Sequence, residues 1–109
     1  MALASETMPL AAVELAEVIA TSDVPGGIVN LLTGQRAELA PWLASHMDVN
    51  AIDLTGCPAD LAVSCEQAAA ENLKRVLRPP AATDWLADPG TDRMTAFLET
   101  KTVWHPIGI

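Results

Sequence analysis

Residues 51–58 read Ala51-Ile52-Asp53-Leu54-Thr55-Gly56-Cys57-Pro58. A short apolar run makes a strand, Gly56 permits a tight turn, and Pro58 stands at the first position of a helix, where a missing N–H is tolerated. Upstream, Ile28-Val29-Asn30-Leu31-Leu32 reads as a strand of the kind buried on both faces of a parallel sheet, closed by Thr33-Gly34. Downstream, Lys74 to Leu77 makes a third. Helical patterns alternate with these strands. The first opens at Pro9 and carries Leu10, Val13, Leu15, Val18 and Ile19, stopped by Pro25-Gly26-Gly27. The second, Ala37 to His46, groups Leu39, Trp42, Leu43 and Met47 on one side. The third ends near Asn72, with Leu61, Cys65, Ala69 and Leu73 spaced four apart. Strand and helix alternating at these spacings predict an α/β fold built on βαβ crossovers and a parallel sheet.

The first helix has only Glu14, Glu17 and Thr21 as its polar stripe. So narrow a stripe predicts a helix covered on most of its circumference. After Leu77, Arg78-Pro79-Pro80-Ala81-Ala82 breaks the rhythm, because neither proline donates to a ladder. Beyond it, Thr91 is placed to cap a short helix carrying Met94, Phe97 and Leu98, and Thr102-Val103-Trp104 is a candidate last strand.

Composition narrows the function classes. The chain has 109 residues, half of them hydrophobic, with fourteen acidic and six basic residues and a net charge of −8. That length fits one modest domain. The acidity argues against a nucleic-acid binder, which shows a basic patch, and against an anchor to acidic membranes. No apolar stretch is long enough to span a bilayer, and the first ten residues lack a processing signal. A mean hydropathy of +0.27 predicts a packed globular chain. Two cysteines are too few for a disulfide framework, which points to a reducing, cytoplasmic setting.

The turn at residues 54–58 is the strongest local candidate for chemistry. Backbone N–H groups at such a helix start favour phosphate or another anion; an ordinary βα turn that binds nothing has the same pattern, and no glycine follows in the helix to complete a dinucleotide fingerprint. Cys57 there is either a reactive thiol of lowered pKa or a small substitute for a helix cap. Cys65, two turns on, reads as a buried small hydrophobe that cannot reach Cys57 for a disulfide if the helix holds. His46 and His105 have no partners at metal-ligand spacing. A Cys–His catalytic pair would need a meeting in space that the sequence does not show. Asp48-Val49-Asn50-Ala51-Ile52-Asp53 starts like a calcium loop but lacks its glycine and final glutamate, and reads as a helix stop and strand entry. Trp42, Trp85 and Trp104 read as packing anchors, and no carboxylate pair is placed for acid–base work.

Five blocks, taken together, carry a resemblance. They are Leu3-Ala4-Ser5-Glu6-Thr7-Met8-Pro9-Leu10, residues 25–34 (Pro25-Gly26-Gly27-Ile28-Val29-Asn30-Leu31-Leu32-Thr33-Gly34), Ala44-Ser45-His46-Met47-Asp48-Val49, Leu54-Thr55-Gly56-Cys57, and Asn72-Leu73-Lys74-Arg75-Val76. In order and spacing this series resembles the coenzyme-binding domain of NAD(P)-dependent aldehyde dehydrogenases, whose members read K-P-(S/A)-E-x-T-P-L, P-x-G-V-V-N, A-S-H-x-D-V, F-T-G-S and N-L-K-R-V. The resemblance implies a partial Rossmann-like parallel sheet with flanking helices over residues 1–78, with residues 79–109 a Pro-rich linker, short helix and tail of the same domain. It implies NAD or NADP as cofactor, held by Glu6, Thr55, Gly56 and Cys57 in degenerate form. It also implies what has changed. Leu3 replaces the family's lysine, Arg36 and Ala40 fall where two glycines admit the adenine, Cys57 replaces a pyrophosphate-contacting serine, and Leu61 replaces a helix glycine. The general-base glutamate falls on Pro79, with two further glycines on Ala81 and Ala82, and neither cysteine aligns with the family's nucleophile. Phe97-Leu98-Glu99-Thr100-Lys101-Thr102-Val103-Trp104-His105-Pro106 resembles the close of a two-copy subfamily whose second copy is degenerate. The expectation is a catalytically inactive family domain with a structural or oligomerising role, partnered by its own copies or by an aldehyde dehydrogenase subunit. A fragment lending NAD(P) contacts to an active enzyme is the alternative, and a thiol-reactive binder using Cys57 a third.

Overall fold

A computed structural model describes residues 1–78 and 83–108; the expectations placed on Pro79, Ala81 and Ala82 lie outside the described residues. The elements run β1 (Ala2–Leu3), α1 (Leu10–Ala20), β2 (Leu31–Leu32), α2 (Arg36–Ser45), β3 (Ala51–Asp53), α3 (Ala59–Ala70), β4 (Arg75–Leu77) and α4 (Asp92–Thr95). The mixed α/β reading holds, and all the pairing is parallel. It is split between two small sheets, β1 with β2 and β3 with β4, in the registers Leu3–Leu32 and Ile52–Val76. Each pair is joined through a helix, as parallel strands require.

Several elements are shorter than their sequence patterns. Residues 25–28 form a turn, closed by the Ile28 N–H donating to Pro25 O, and Ile28 and Val29 stay bent out of the strand, with the Asn30 side-chain amide donating to Gly27 O at 2.8 Å. That leaves only Leu31 and Leu32 to pair, and their partner β1 is a strand too short to be seen as a pattern. In α3 the buried positions are Ala62, Cys65 and Ala69. Leu73 does not continue that stripe. It is 89% exposed with φ +56°, in the left-handed region, where the chain leaves α3 and the Lys74 N–H closes back on Ala69 O at 3.0 Å. Thr91 makes no side-chain cap; its carbonyl accepts from Met94 and Thr95 instead, and α4 ends before Phe97 and Leu98. Thr102–Trp104 is exposed and pairs with no strand among the described residues, so the last strand does not form.

The core lies between α2 and α3 and is built of small side chains: Ala40 and Ala44 face Ala62 and Cys65, with Leu54 closing one end and Leu3, Ile52 and Val76 packed alongside. Small residues at facing positions let the two helices approach closely, but they bury little apolar area. The three tryptophans are not the anchors of this core. Trp42, Trp85 and Trp104 are all exposed, and the buried face of α2 runs through Ala40 and Ala44 rather than Trp42 and Met47. Helix α1 has no buried residue, with Leu10, Val13, Leu15 and Val18 in the open. The radius of gyration, 17.0 Å, exceeds the ~13 Å of a compact chain of about this length. The globular packing read from mean hydropathy is therefore confined to the α2–α3 layer. No helix among the described residues is long and apolar enough to cross a membrane.

Candidate functional site

The turn from β3 into α3 is where the sequence places it, and Gly56 at φ +70° explains its glycine. Asp53 fixes the turn from its strand end: its Oδ1 accepts from the Thr55 N–H at 2.8 Å and from the Thr55 hydroxyl. The Cys57 N–H closes the turn on Leu54 O at 3.0 Å. Pro58 is the N-cap of α3 rather than its first helical residue, so Cys57 lies one position outside the helix and does not substitute for a cap.

Of the four predicted site residues, Thr55, Gly56 and Cys57 share this turn, and Glu6 is brought to it through Arg36. The Arg36 N–H, at the start of α2, donates to Glu6 Oε1, while its guanidinium Nη1 donates to the carbonyl of Gly56. A single arginine thus ties the end of the β1 segment to the β3–α3 turn. Glu6, which the resemblance gives as a cofactor-binding residue, is engaged with the backbone of α2.

Thr55 and Cys57, but neither Glu6 nor Gly56, border a cavity of about 510 Å³ that opens between β1 and β3, with Leu3, Leu43 and Leu54 on its walls and Arg36, Asp53 and Arg93 among its polar groups. Sequence reasoning missed Arg93 and Trp85. Arg93 Nη1 stands 3.5 Å from Asp53 Oδ2, and its guanidinium lies 5.5 Å from the centre of the Trp85 ring. Both come from the segment after the proline-rich stretch, and no spacing rule links them to residue 53.

Cys57 is half-buried in this turn. Partial burial pushes its pKa up, Asp60 adds to the rise, and Arg36 and Arg78 offset it only in part. Arg78 is itself paired with Glu66 at 2.8 Å. Cys65 is pushed up as well, by burial first and by Cys57 second, and both cysteines are free. Of the two readings of Cys57, the lowered pKa is not met, since desolvation outweighs the neighbouring guanidinium groups, and the cap substitute is not met either, since Pro58 holds the N-cap. His46 is exposed, its Nδ1 accepting from the Asp48 N–H, and no group of three or more His, Cys, Asp or Glu side chains converges among the described residues.

With this geometry in place, comparison with known proteins identifies the scaffold. The profile of the aldehyde dehydrogenase family matches residues 3–78. The chain belongs to that family. A 3-sulfolactaldehyde dehydrogenase of Priestia aryabhattai is 39% identical over 54 residues, covering 50% of this chain and 11% of the relative. A mitochondrial aldehyde dehydrogenase of Leishmania tarentolae is 39% identical over 72 residues, covering 66% of this chain and 14% of the relative. The chain therefore spans about a ninth to a seventh of the length of these relatives. No solved structure matches it significantly. The family match ends at Arg78, so Trp85 and Arg93 reach the cavity from outside the family segment.

Proposed function

We propose that this chain is a catalytically silent aldehyde dehydrogenase domain with a structural or oligomerising role, of the kind found as the degenerate copy in a two-copy subfamily. The observation that carries the reading is the Arg36 bridge. In the family resemblance, position 36 is a glycine where backbone approaches the coenzyme; here its side chain crosses to Gly56 and its N–H holds Glu6.

The residues present do not fit NAD or NADP in the family manner. A guanidinium stands in the crevice, Ala40 and Leu61 add bulk where glycines admit close approach, and Cys57 offers only a weak thiol donor for a serine hydroxyl. By the same resemblance neither cysteine stands at the family's nucleophile, and Pro79 falls at the position of the general base.

The role in assembly rests on α1. Its apolar residues are open to solvent, and a second cavity of about 350 Å³ lies beside them, bordered by Ile19, Val24, Val29 and Leu31. A second copy, or an aldehyde dehydrogenase subunit, seated there would cover what the α2–α3 core leaves exposed.

Calorimetric titration of the chain with NAD and NADP tests the reading, beside an aldehyde oxidation assay and sedimentation velocity. The expected results are no saturable heat, no turnover, and concentration-dependent association through α1. Binding at millimolar affinity or better, or turnover abolished by Cys57→Ala, overturns it.

A further inference from the structure

The cavity between β1 and β3 has a charge opposite to that of the chain. Two of the six basic residues, Arg36 and Arg93, line it, against the single carboxylate of Asp53. The side chains on its border therefore sum to one net positive charge in a protein of net charge −8. Asp53 is also occupied: Oδ1 accepts twice from Thr55, and Oδ2 faces Arg93.

Both guanidinium groups keep donors to spare. Arg36 gives Nη1 to Gly56, one of five side-chain N–H donors. The Arg93–Asp53 separation of 3.5 Å is longer than a good charge-assisted hydrogen bond, so that pair leaves the Arg93 fork open to a better acceptor. The walls between them are apolar, with Leu3, Leu43 and Leu54, and the rim carries the exposed Trp85 ring beside Arg93. An apolar wall, an aromatic ring and two cationic side chains on one cavity suit one kind of molecule.

We infer that this cavity binds a small planar organic monoanion, an aryl carboxylate, with its carboxylate between Arg36 and Arg93 and its ring against the apolar wall and Trp85. The volume of about 510 Å³ suits a small molecule. The surrounding negative charge repels polyanions, so a single carboxylate enters where a dinucleotide diphosphate is disfavoured. The ligand class differs from the family coenzyme, and the inference stands without the assembly role proposed above.

The test is a titration of the full chain, followed by amide and indole N–H chemical shifts, with benzoate, with benzyl alcohol as its neutral counterpart, and with NAD. Benzoate is expected to shift residues 54–57 and the Trp85 indole saturably in the millimolar range. Benzyl alcohol is expected to bind at least about tenfold more weakly, the loss of one charge-assisted contact. Arg93→Gln and Arg36→Gln should each weaken benzoate several-fold while leaving benzyl alcohol unchanged, with spectral dispersion reporting that each variant is folded. Absence of saturation, equal affinity for the neutral alcohol, or shifts mapping away from the cavity overturns the inference. If benzoate and NAD are both silent, this inference alone falls. If NAD saturates the same amides and benzoate does not, the catalytically silent reading falls with it.

Discussion

Replacing Leu54 by alanine is the sharpest test of where this fold keeps its stability. Leu54 is the largest side chain of the core cluster, 5% exposed, and its core neighbours are Ala40, Ala44, Ala62 and Cys65. Truncating a buried leucine removes transfer free energy and leaves a cavity, and the cost grows with the cavity that fails to collapse. Alanines have no rotamers with which to fill the space, so the cost belongs in the middle to upper part of the usual range, about 3 to 4 kcal/mol. At about 0.05 kcal/mol per residue, the low end expected for so small a core, 109 residues carry roughly 5 kcal/mol in total. Leu54→Ala should therefore remove most of the stability. With a urea m-value of about 1.3 kcal/mol/M, the midpoint should fall by roughly 2 to 3 M, read by far-ultraviolet circular dichroism. Leu86→Ala is the control, since Leu86 is 97% exposed, and it should change stability by less than about 0.5 kcal/mol. A loss below about 1 kcal/mol for Leu54→Ala, or an equal loss for Leu86→Ala, would refute the assignment of the core to the α2–α3 layer.

Three further outcomes are expected. Leu73→Gly should raise the urea midpoint, because it relieves a left-handed backbone costing about 1 kcal/mol at a side chain that buries almost nothing; a lowered midpoint would show that Leu73 packs. Burial raises the Cys65 pKa in the folded chain, so its contribution is fully present below the unfolded thiol value of about 8.5 and is lost as pH rises through the folded value, by at most about 1.4 kcal/mol per pH unit. The stability difference between the parent chain and Cys65→Ala should accordingly shrink from pH 8 upward, taking ~8 as the start of the titration, and a difference that grows would reverse the sign of the shift. On α1, Leu15→Glu and Val18→Glu should leave the fold intact, since both side chains are exposed, while abolishing association in sedimentation velocity; association that persists in both would remove α1 as the seam.

The parts of the fold that were legible in the sequence are those set by local chemistry. Pro9, the Thr33-Gly34 and Thr55-Gly56 turns and the apolar runs after Asn30 and Asn50 announce the alternation of helix and strand, and the structure has it. What one chain cannot announce is which apolar residues find a partner. Trp42 and Met47 match a helical stripe, yet the neighbour that packs on α2 is α3, which meets the alanine side. Val103 and Trp104 match a strand, but a strand exists only where an edge receives it. In the site, the turn and its glycine were readable because a positive φ leaves a residue signature. The Arg36 bridge to Gly56 and the Arg93–Asp53 pair join residues 20 and 40 positions apart, and long flexible side chains carry no periodicity that would betray them.

Arg36 also shows how one stripe of α2 serves both the packed layer and the cavity. Residues 36, 40 and 44 lie four apart on α2 and so form one stripe along the helix. At Ala40 and Ala44 the stripe is closed in by α3, and only a small side chain is compatible with that approach. At Arg36, in the first turn, the same stripe emerges at the cavity. The inner two positions therefore carry alanines, and the outermost carries a long side chain. A long cation there finds the Gly56 carbonyl, which the turn presents because Asp53 and Gly56 hold its shape. The Arg36 side chain thus ties α2 to the β3–α3 turn from one helical turn outside the packed layer.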